Sequence, residues 1–204
     1  MKFLIVYGPT REPLDPVRFL SNYSTGVMGK ALVEAADAGG HRVDCVECPR
    51  DAESAADLLR VLKKRIAAAE VFVMAAAVCD VRPAELSRRK IKKTALGTVR
   101  LVKNPDILEA LAEKKRRGQI FVGFALESEA LLKNARRKMR AKNLDMIVAQ
   151  PVTAEKSPFG KNRLEASVIG RRGVLKHFAS VSKRALAGFL VREAEKLLAR
   201  WPRS

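Results

Sequence analysis

Short apolar runs alternate along the chain with longer amphipathic stretches, and this order constrains the fold more than any other feature. The apolar runs predict strands, whereas in the longer stretches apolar residues recur at helical spacing. Two glycines at 39–40 end one such stretch, and Asn-Pro at 104–105 begins another. The predicted strands are residues 2–8, 41–48, 70–78, 98–102, 119–126 and 144–151, and the predicted helices are residues 26–40, 52–69, 104–118, 128–143 and 180–201.

This alternation predicts an α/β fold in which a mostly parallel sheet has helices on both faces. Late in the chain the period changes, and residues 163–179 predict a β-hairpin that turns at Arg171 and Arg172. Ligands of such sheets bind at the carboxyl ends of the strands. The candidate binding loops are therefore those that follow strands, at residues 8–25, 79–97, 124–127 and 150–162.

The length, net charge and composition of the chain limit the number of domains and the kinds of ligand we expect. The 204 residues fit a single domain spanning 1–204, and 40 Lys and Arg against 22 Asp and Glu give a net charge of +18. Such a charge suits polyanions or phosphorylated small molecules. Aromatic residues make up only 5% of the chain, which leaves few stacking platforms for single-stranded nucleic acid. No apolar stretch reaches the roughly 20 residues of a membrane span, so we expect a cytoplasmic protein without membrane contact.

The three cysteines do not predict a disulfide framework, because their number is odd and their spacing uneven. Cys45 and Cys48 form a C-x-x-C pair. They lie in a predicted strand, however, where residues three apart point to opposite faces. The two histidines, His41 and His177, stand apart from the candidate loops, so a Ser-His-Asp or Cys-His site has no support. The sequence assigns no metal ligand among the protein side chains.

The first candidate loop leads into the helix start "SNYSTGVMG" and lacks both the dinucleotide fingerprint and the P-loop pattern. Ser24, Thr25 and Gly26 precede the helix, where free backbone N–H groups and the helix dipole can converge on an anion. Gly26 and Gly29 would let a phosphate approach closely. A capped helix start with tight packing against the sheet explains the same residues, and the local pattern favours neither interpretation.

Two charged residues follow the central strand at 70–78. Asp80 is placed to meet ribose hydroxyls, and capping of a turn is the alternative. Lys90 lies ten residues later in a basic stretch. It can neutralise a phosphate as a point charge, or it is an ordinary surface lysine.

Later segments contain further candidate binding residues, each of which also has an ordinary structural explanation. The N–H groups of Asn-Pro-Asp at 104–106 can hold an anion or read a base edge, or they simply begin a helix. Phe124 ends a strand and can face a base or fill the core. Lys138 and Lys142 share one helix face, which either leans over the edge of the sheet or is solvated.

Taken in order, these segments resemble phosphopantothenoylcysteine synthetase, the ligase half of the bacterial bifunctional flavoprotein of coenzyme A biosynthesis. The resemblance runs from about residue 3 to residue 190. It implies a Rossmann-like three-layer fold, a homodimer, and a flap from the late loop and hairpin that covers the site. The segments that carry it are "TREPLDPVRFLSNYSTGVMG", "AAAVCDVRPAE", "KIKK", "LVKNPDIL", "VGFALES" and "RKMRAKNLDMIVA".

The resemblance implies a two-step reaction that uses Mg²⁺ and a nucleoside triphosphate, CTP in most bacteria and often ATP in eukaryotes. The triphosphate activates the carboxylate of 4′-phosphopantothenate as an acyl-nucleotidyl intermediate and releases pyrophosphate. The amine of L-cysteine then displaces the nucleoside monophosphate and gives 4′-phosphopantothenoylcysteine. No flavin is expected in this chain, so the decarboxylase of the pathway would be a separate protein.

The resemblance also assigns roles to residues. Asn22 matches the catalytic asparagine, whose amide would hold the acyl carbonyl, and Lys90 matches a catalytic lysine. The nucleotide-contacting positions are Asp80, Pro105, Asp106, Ile107, Leu108, Phe124, Lys138 and Lys142, and the loop for phosphate and substrate comprises Gly8, Thr10, Ser24, Thr25, Gly26 and Gly29.

Several residues depart from the usual pattern of the family, and residues 45–55 look shortened. Proline at position 9 replaces a glycine and removes a backbone donor. The departures are Pro9, Val27, Val81, Gln150 and Pro151. They leave open a diverged homologue that binds a nucleotide or phosphorylated ligand without ligating it. A basic nucleic-acid-binding protein is a further alternative, which rests on net charge alone.

Overall fold

The computed structural model describes residues 1–95, 97–153, 157, 159 and 163–200. The strands are β1 (Lys2–Pro9), β2 (Arg11–Asp15), β3 (Arg18–Ser21), β4 (Arg42–Glu47), β5 (Val71–Ala77), β6 (Val81–Pro83), β7 (Leu101–Lys103), β8 (Ile120–Glu127), β9 (Met146–Pro151), β10 (Arg163–Gly170) and β11 (Gly173–Ser182). The helices are α1 (Val27–Ala38), α2 (Ala55–Arg65), α3 (Ile107–Ala112), α4 (Leu131–Ala141) and α5 (Lys183–Ala199), with 3₁₀ turns at Ile66–Ala68 and Lys93–Ala95. Of the predicted flap, the loop at 150–162 lies largely outside the described residues, whereas the hairpin forms β10 and β11 of the central sheet.

Seven strands form the central sheet in the order β11-β10-β9-β8-β5-β1-β4. The five strands from β4 to β9 are parallel, and β10 is antiparallel to both of its neighbours. This sheet confirms the predicted α/β class. The turn between β10 and β11 falls at Arg171 and Arg172 as predicted. Because β11 runs parallel to β9, the chain enters α5 at the same edge where the parallel strands end.

Helices cover both faces of the sheet because consecutive residues of the central strands are apolar, so that both faces must be buried. In β1, Phe3, Ile5 and Tyr7 pack with α1 and α5, whereas Leu4 and Val6 pack with α2, α3 and α4. Cys45 packs against the first of these cores and Cys48 belongs to the second, so the C-x-x-C pair is divided between opposite faces as predicted. Burial raises the pKa of the Cys48 thiol to about 12.

Side-chain caps stabilise the starts of α2 and α5. Ser54 and Asp57 form a reciprocal capping box at the start of α2. Ser182 caps α5 by accepting a hydrogen bond from the N–H of Ala185 at 3.1 Å. None of the helices among the described residues is long and apolar enough to cross a membrane.

The helix predicted at 104–118 is too long, because α3 ends at Ala112. The basic run that follows was interpreted as helix, but Lys115 turns inward instead. Its ammonium binds the Asp145 carboxylate at 2.6 Å and the Asn143 carbonyl at 2.7 Å, and the side chain is 6% exposed. A distant carboxylate therefore overrides the local preference for helix.

Two predicted loops contain strands that the sequence pattern does not predict, namely β2, β3 and β6, whereas β7 overlaps the short strand predicted at 98–102. The 8–25 loop forms the β2–β3 hairpin, and β6 within the 79–97 loop pairs with β7. Both hairpins stand at the carboxyl edge of the central sheet, next to the region described below.

Candidate active site

A cavity of about 910 Å³ opens at the edge where the parallel strands end. The residues that line it come from the ends of β5, β7, β8 and β9 and from the starts of α1, α3 and α5. They are residues 21–29, 74–81, 103–108 and 124–126, together with Lys138, Lys142, Gln150, Phe159, Leu164 and Lys183. The fold therefore brings together most of the candidate positions in the sequence.

The start of α1 forms one wall of this cavity. Gly26 occupies the N-cap position with a φ of 69°, and no side chain caps the helix. The hydroxyl of Ser24 accepts a 3.3 Å hydrogen bond from the N–H of Gly26, and no acidic residue lies in the first turn. Side-chain capping therefore does not explain this segment, and the helix start presents its positive dipole end to the cavity.

Two glycines allow close approach of backbone segments near this helix. A Cβ at Gly29 would lie 2.0 Å from Cβ of Tyr7, so α1 packs directly on β1 there. A Cβ at Gly8 would lie 2.1 Å from the carbonyl oxygen of Cys48. Tight packing therefore accounts for Gly29, a left-handed backbone conformation accounts for Gly26, and Gly8 combines both, with a φ of 85°.

Asn22 is held at the end of β5 by a network of hydrogen bonds. Its Nδ2 donates to the carbonyl of Val78 at 2.9 Å, and its Oδ1 lies 3.8 Å from Sγ of Cys79. The hydroxyl of Thr10, which is fully buried, accepts from the N–H of Cys79 at 3.1 Å. Asn104 donates to the carbonyl of Cys79 at 2.9 Å. Segments far apart in sequence thus position the Asn22 amide at the cavity wall.

The opposite wall carries two lysines paired with acids. Lys142 binds Asp106 at 2.8 Å, and Lys138 binds Glu127 at 2.8 Å. Asp106 also caps α3 by accepting from the N–H of Glu109 at 3.1 Å. Both lysines reach the cavity, so their helix face leans over the edge of the sheet rather than being merely solvated.

Of the remaining candidate nucleotide-binding residues, some line the cavity from the core and one is exposed. Ile107 and Leu108 line the cavity from α3 and are buried in the core, and Pro105 precedes them. Phe124 lines the cavity and packs against the core beneath α1 and α5. Asp80 is exposed at the lip, and its carboxylate has no partner within the described part of the chain.

Lys90 is the one catalytic candidate that does not line the cavity, and its side chain is exposed. Its segment is nevertheless tethered, because Asp15 accepts a hydrogen bond from the N–H of Ile91 at 3.2 Å. Asp15 also accepts from the N–H of Val17 at 2.9 Å and from Arg18 at 2.6 Å. Burial raises the pKa of Asp15, but these donors together hold it below its ordinary value.

Sequence reasoning overlooked four buried polar residues at or near the site. Asp15 and Glu12 lie in the predicted 8–25 loop, and Lys183 lies within the helix predicted at 180–201. Gln150 was noted only as a departure from the family pattern. No group of three or more His, Cys, Asp and Glu side chains that could hold a metal occurs in the described ranges.

A protein-family model for the DNA/pantothenate metabolism flavoprotein C-terminal domain matches residues 1–198. The chain belongs to this family. The coenzyme A biosynthesis bifunctional protein CoaBC of Bacillus subtilis (strain 168) is 37% identical over 207 residues, which cover 95% of this chain and 51% of that protein. A cysteine/cysteine sulfinic acid decarboxylase from an unknown prokaryotic organism is 35% identical over 199 residues, 91% of this chain and 55% of that protein. The chain thus spans about half the length of the curated relatives it matches.

Solved structures of this flavoprotein C-terminal domain family share the fold. The C-terminal domain of a CoaBC protein superposes with a TM-score of 0.79 at 28% identity, and the match covers 98% of this chain and 96% of that one. A Cab2 mutant in complex with phosphopantothenate-cysteine superposes with a TM-score of 0.69 at 18% identity, covering 98% of this chain and 88% of that one. These likenesses confirm the Rossmann-like architecture.

Proposed function

We propose that this chain is a phosphopantothenate–cysteine ligase of coenzyme A biosynthesis. It would activate 4′-phosphopantothenate with CTP or ATP and join the acyl group to L-cysteine. The observation that carries the proposal is the meeting of Asn22, Asp80, Lys138 and Lys142 around one cavity at the edge of the sheet. A protein of the same fold holds phosphopantothenate-cysteine, which supports the same class of substrate here.

The nucleotide would lie between α3 and α4 and the start of α1. The segment from Pro105 to Leu108 and Phe124 would flank the base, and the uncapped N–H groups of α1 would meet the phosphates. Mg²⁺ in such sites binds mostly to phosphate oxygens and one or two carboxylates. Asp80 suits that position, because its exposed carboxylate has no partner among the described residues.

In the first step, a carboxylate oxygen of phosphopantothenate attacks the α-phosphorus, and the bond to pyrophosphate breaks. In the second, the amine of cysteine attacks the acyl carbon, loses a proton, and the nucleoside monophosphate departs. Asn22 would exchange its hydrogen bond to the Val78 carbonyl for one to the acyl oxygen, where negative charge develops. A hydrogen bond to that oxygen that is stronger in the transition state than in the substrate lowers the barrier of the second step.

Lys90 would contribute only if the 88–93 segment approaches the cavity when substrates bind. Asp15 would then act as the anchor about which the segment moves, since it holds the N–H of Ile91. The homodimer implied by the resemblance forms part of this proposal, as does a decarboxylase that would act on the product.

The test measures pyrophosphate release from CTP and from ATP in the presence of Mg²⁺, with each of the other substrates omitted in turn. A ligase releases pyrophosphate only when phosphopantothenate is present and forms product only with cysteine. Release by neither nucleotide would leave the diverged binding protein as the better explanation, provided that nucleotides still raise the thermal midpoint.

An Asn22→Asp variant makes the assay specific to the site. It removes the amide donor and places a negative charge where the oxyanion develops, so we expect turnover to fall about 100-fold or more. Asn143→Asp is the matched control, because Asn143 lies outside the cavity and accepts a hydrogen bond from Arg171 that a carboxylate can also accept. Wild-type turnover in Asn22→Asp would remove Asn22 from the mechanism.

A further inference from the structure

A buried lysine marks one end of the cavity. Lys183 begins α5, lines the cavity, and is only 9% exposed. It has no hydrogen-bonding or ionic partner within the part of the chain that the structure describes. Burial lowers its pKa below the ordinary lysine value. The ammonium is not sealed in the core but opens on the cavity, and a largely buried lysine without a counter-charge is positioned to meet a negatively charged group there.

Gln150 is a second buried polar side chain without a partner in the described chain. It lies at the end of β9, lines the same cavity, and is 6% exposed. Met146 and Val148 of the same strand pack in the core beneath α1 and α5, so the alternation of β9 directs Gln150 to that face too. Most buried side-chain amides have hydrogen-bond partners, whereas the Gln150 amide opens on the cavity, where it can bind a ligand.

Two helix starts meet at the same end of the cavity. The helices α1 and α5 pack against each other, and both begin at the carboxyl edge of the sheet. Neither has an acidic residue in its first turn. A lysine in the first turn of a helix is electrostatically unfavourable, since the positive dipole end repels it. Lys183 therefore adds positive charge where two helix dipoles already supply it.

The opposite end of the cavity differs in charge. There Glu127 and Asp106 neutralise Lys138 and Lys142 through ion pairs of 2.8 Å. The end beneath α1 and α5 has a lysine of the same kind with no acid against it. An anionic ligand that spans the cavity would place its most highly charged group at this end.

We propose that Lys183 and Gln150, with the starts of α1 and α5, form a subsite for a phosphoryl group. Lys183 donates to its oxygens as a cation and Gln150 through its amide. Two sources share this chemistry, the nucleotide phosphates and the phosphate monoester of phosphopantothenate. The choice between them rests on the proposed function, whereas the subsite itself does not.

The experiment compares Lys183→Gln with Lys196→Gln by calorimetric titration at fixed ionic strength. Lys196 is the matched control, because it lies near the other end of α5, is 64% exposed, and pairs with Glu193 of the same helix. The two ligands titrated are inorganic tripolyphosphate and 4′-phosphopantothenate. We expect Lys183→Gln to weaken the binding of at least one of them by about 10- to 100-fold, the loss of a charge-assisted hydrogen bond.

Control variants separate binding from folding. Lys183→Arg keeps the charge and should keep most of the affinity, and Gln150→Leu should weaken the same ligand as Lys183→Gln. The thermal midpoint of the ligand-free Lys183→Gln protein should equal or exceed that of the wild type, since a buried charge has been removed. A purely structural lysine would show the opposite, a lower midpoint with unchanged affinity, and that result would overturn the proposal.

The outcomes also identify the ligand. Loss confined to tripolyphosphate assigns the subsite to the nucleotide, and loss confined to phosphopantothenate assigns it to the monoester. Equal loss in Lys196→Gln, or no binding of either ligand to the wild type, refutes the subsite. Tripolyphosphate binding needs neither cysteine nor turnover, so an inactive ligase would leave this test intact.

Discussion

Replacing Gly29 by alanine tests how closely α1 must approach the sheet for its start to face the cavity. The new Cβ would lie 2.0 Å from Cβ and 2.4 Å from Cγ of Tyr7. The Cβ of Tyr7 is fixed to the backbone of β1 and cannot rotate away. Carbon atoms in contact prefer about 3.5–4.0 Å, so α1 must shift by roughly 1.5–2 Å.

The cost of this shift can be set against the gain in helix propensity. Overpacking in a core costs about 1–3 kcal/mol, and the fixed position of the Tyr7 Cβ favours the upper part of that range, about 2–3 kcal/mol. Alanine in place of glycine within a helix returns about 1 kcal/mol. A net loss of about 1–2 kcal/mol lowers the thermal midpoint of a chain of this size by roughly 2–8 °C. Because the start of α1 moves with the helix, the affinity for tripolyphosphate should fall as well.

Gly188→Ala is the matched control, since Gly188 is also a glycine within a helix. Its new Cβ would meet only the guanidinium end of Arg192, at 3.3 Å, and that flexible side chain can move. We therefore expect a thermal midpoint equal to the wild type or a few degrees higher, by the gain in helix propensity of about 1 kcal/mol. Differential scanning fluorimetry and tripolyphosphate titration measure both variants. A Gly29→Ala protein as stable as Gly188→Ala would show that the packing argument is wrong.

Two further variants test the basic loop and a helix cap. Lys90→Gln should leave nucleotide affinity nearly unchanged but lower turnover by about 100-fold, because Lys90 would stabilise the negative charge of the transition state. Lys92→Gln, in the same exposed run, is the control. Equal turnover in the two variants would exclude Lys90 from the reaction. Asp57→Asn should lower the thermal midpoint near pH 7 by about 1–4 °C, since it weakens the capping box of α2. Burial raises the pKa of Asp57, but hydrogen bonds from Ser54 and Arg60 lower the pKa below its ordinary value. The stability that the Asp57 carboxylate adds is therefore fully present at pH values above the ordinary carboxylate pKa, and it is lost as the pH falls through the lowered pKa of the folded protein. A difference from the wild type that stays constant down to pH 2–3 would contradict that role.

The outcome at the site shows how far sequence reasoning reached. The loops after strands were correctly expected to meet, because the carboxyl ends of parallel strands share one edge of the sheet. The local pattern left the start of α1 undecided between a capped helix and an anion site. The structure shows that no side chain caps α1 at Gly26, which leaves its N–H groups available to an anion, and that α1 packs tightly on β1 at Gly29. The same segment therefore combines a feature of each interpretation. Lys90, placed by resemblance, lies outside the cavity lining and still depends on the proposed mechanism.

Periodicity determined the class of fold, since a strand or helix buries a face only when its apolar residues recur at the matching spacing. The sequence by itself therefore specified the alternating strands and helices, the hairpin near Arg171 and the loops that carry the candidate residues. Only the tertiary structure decided which polar groups meet. Lys115, which the pattern predicts on a helix, lies beyond the end of α3 and pairs with Asp145. Asp15, which is distant in sequence from Lys90, binds the backbone N–H of Ile91 next to it. Lys183 becomes significant only where a cavity leaves its charge unpaired. These contacts join residues that are far apart in sequence, so no local sequence pattern predicts them.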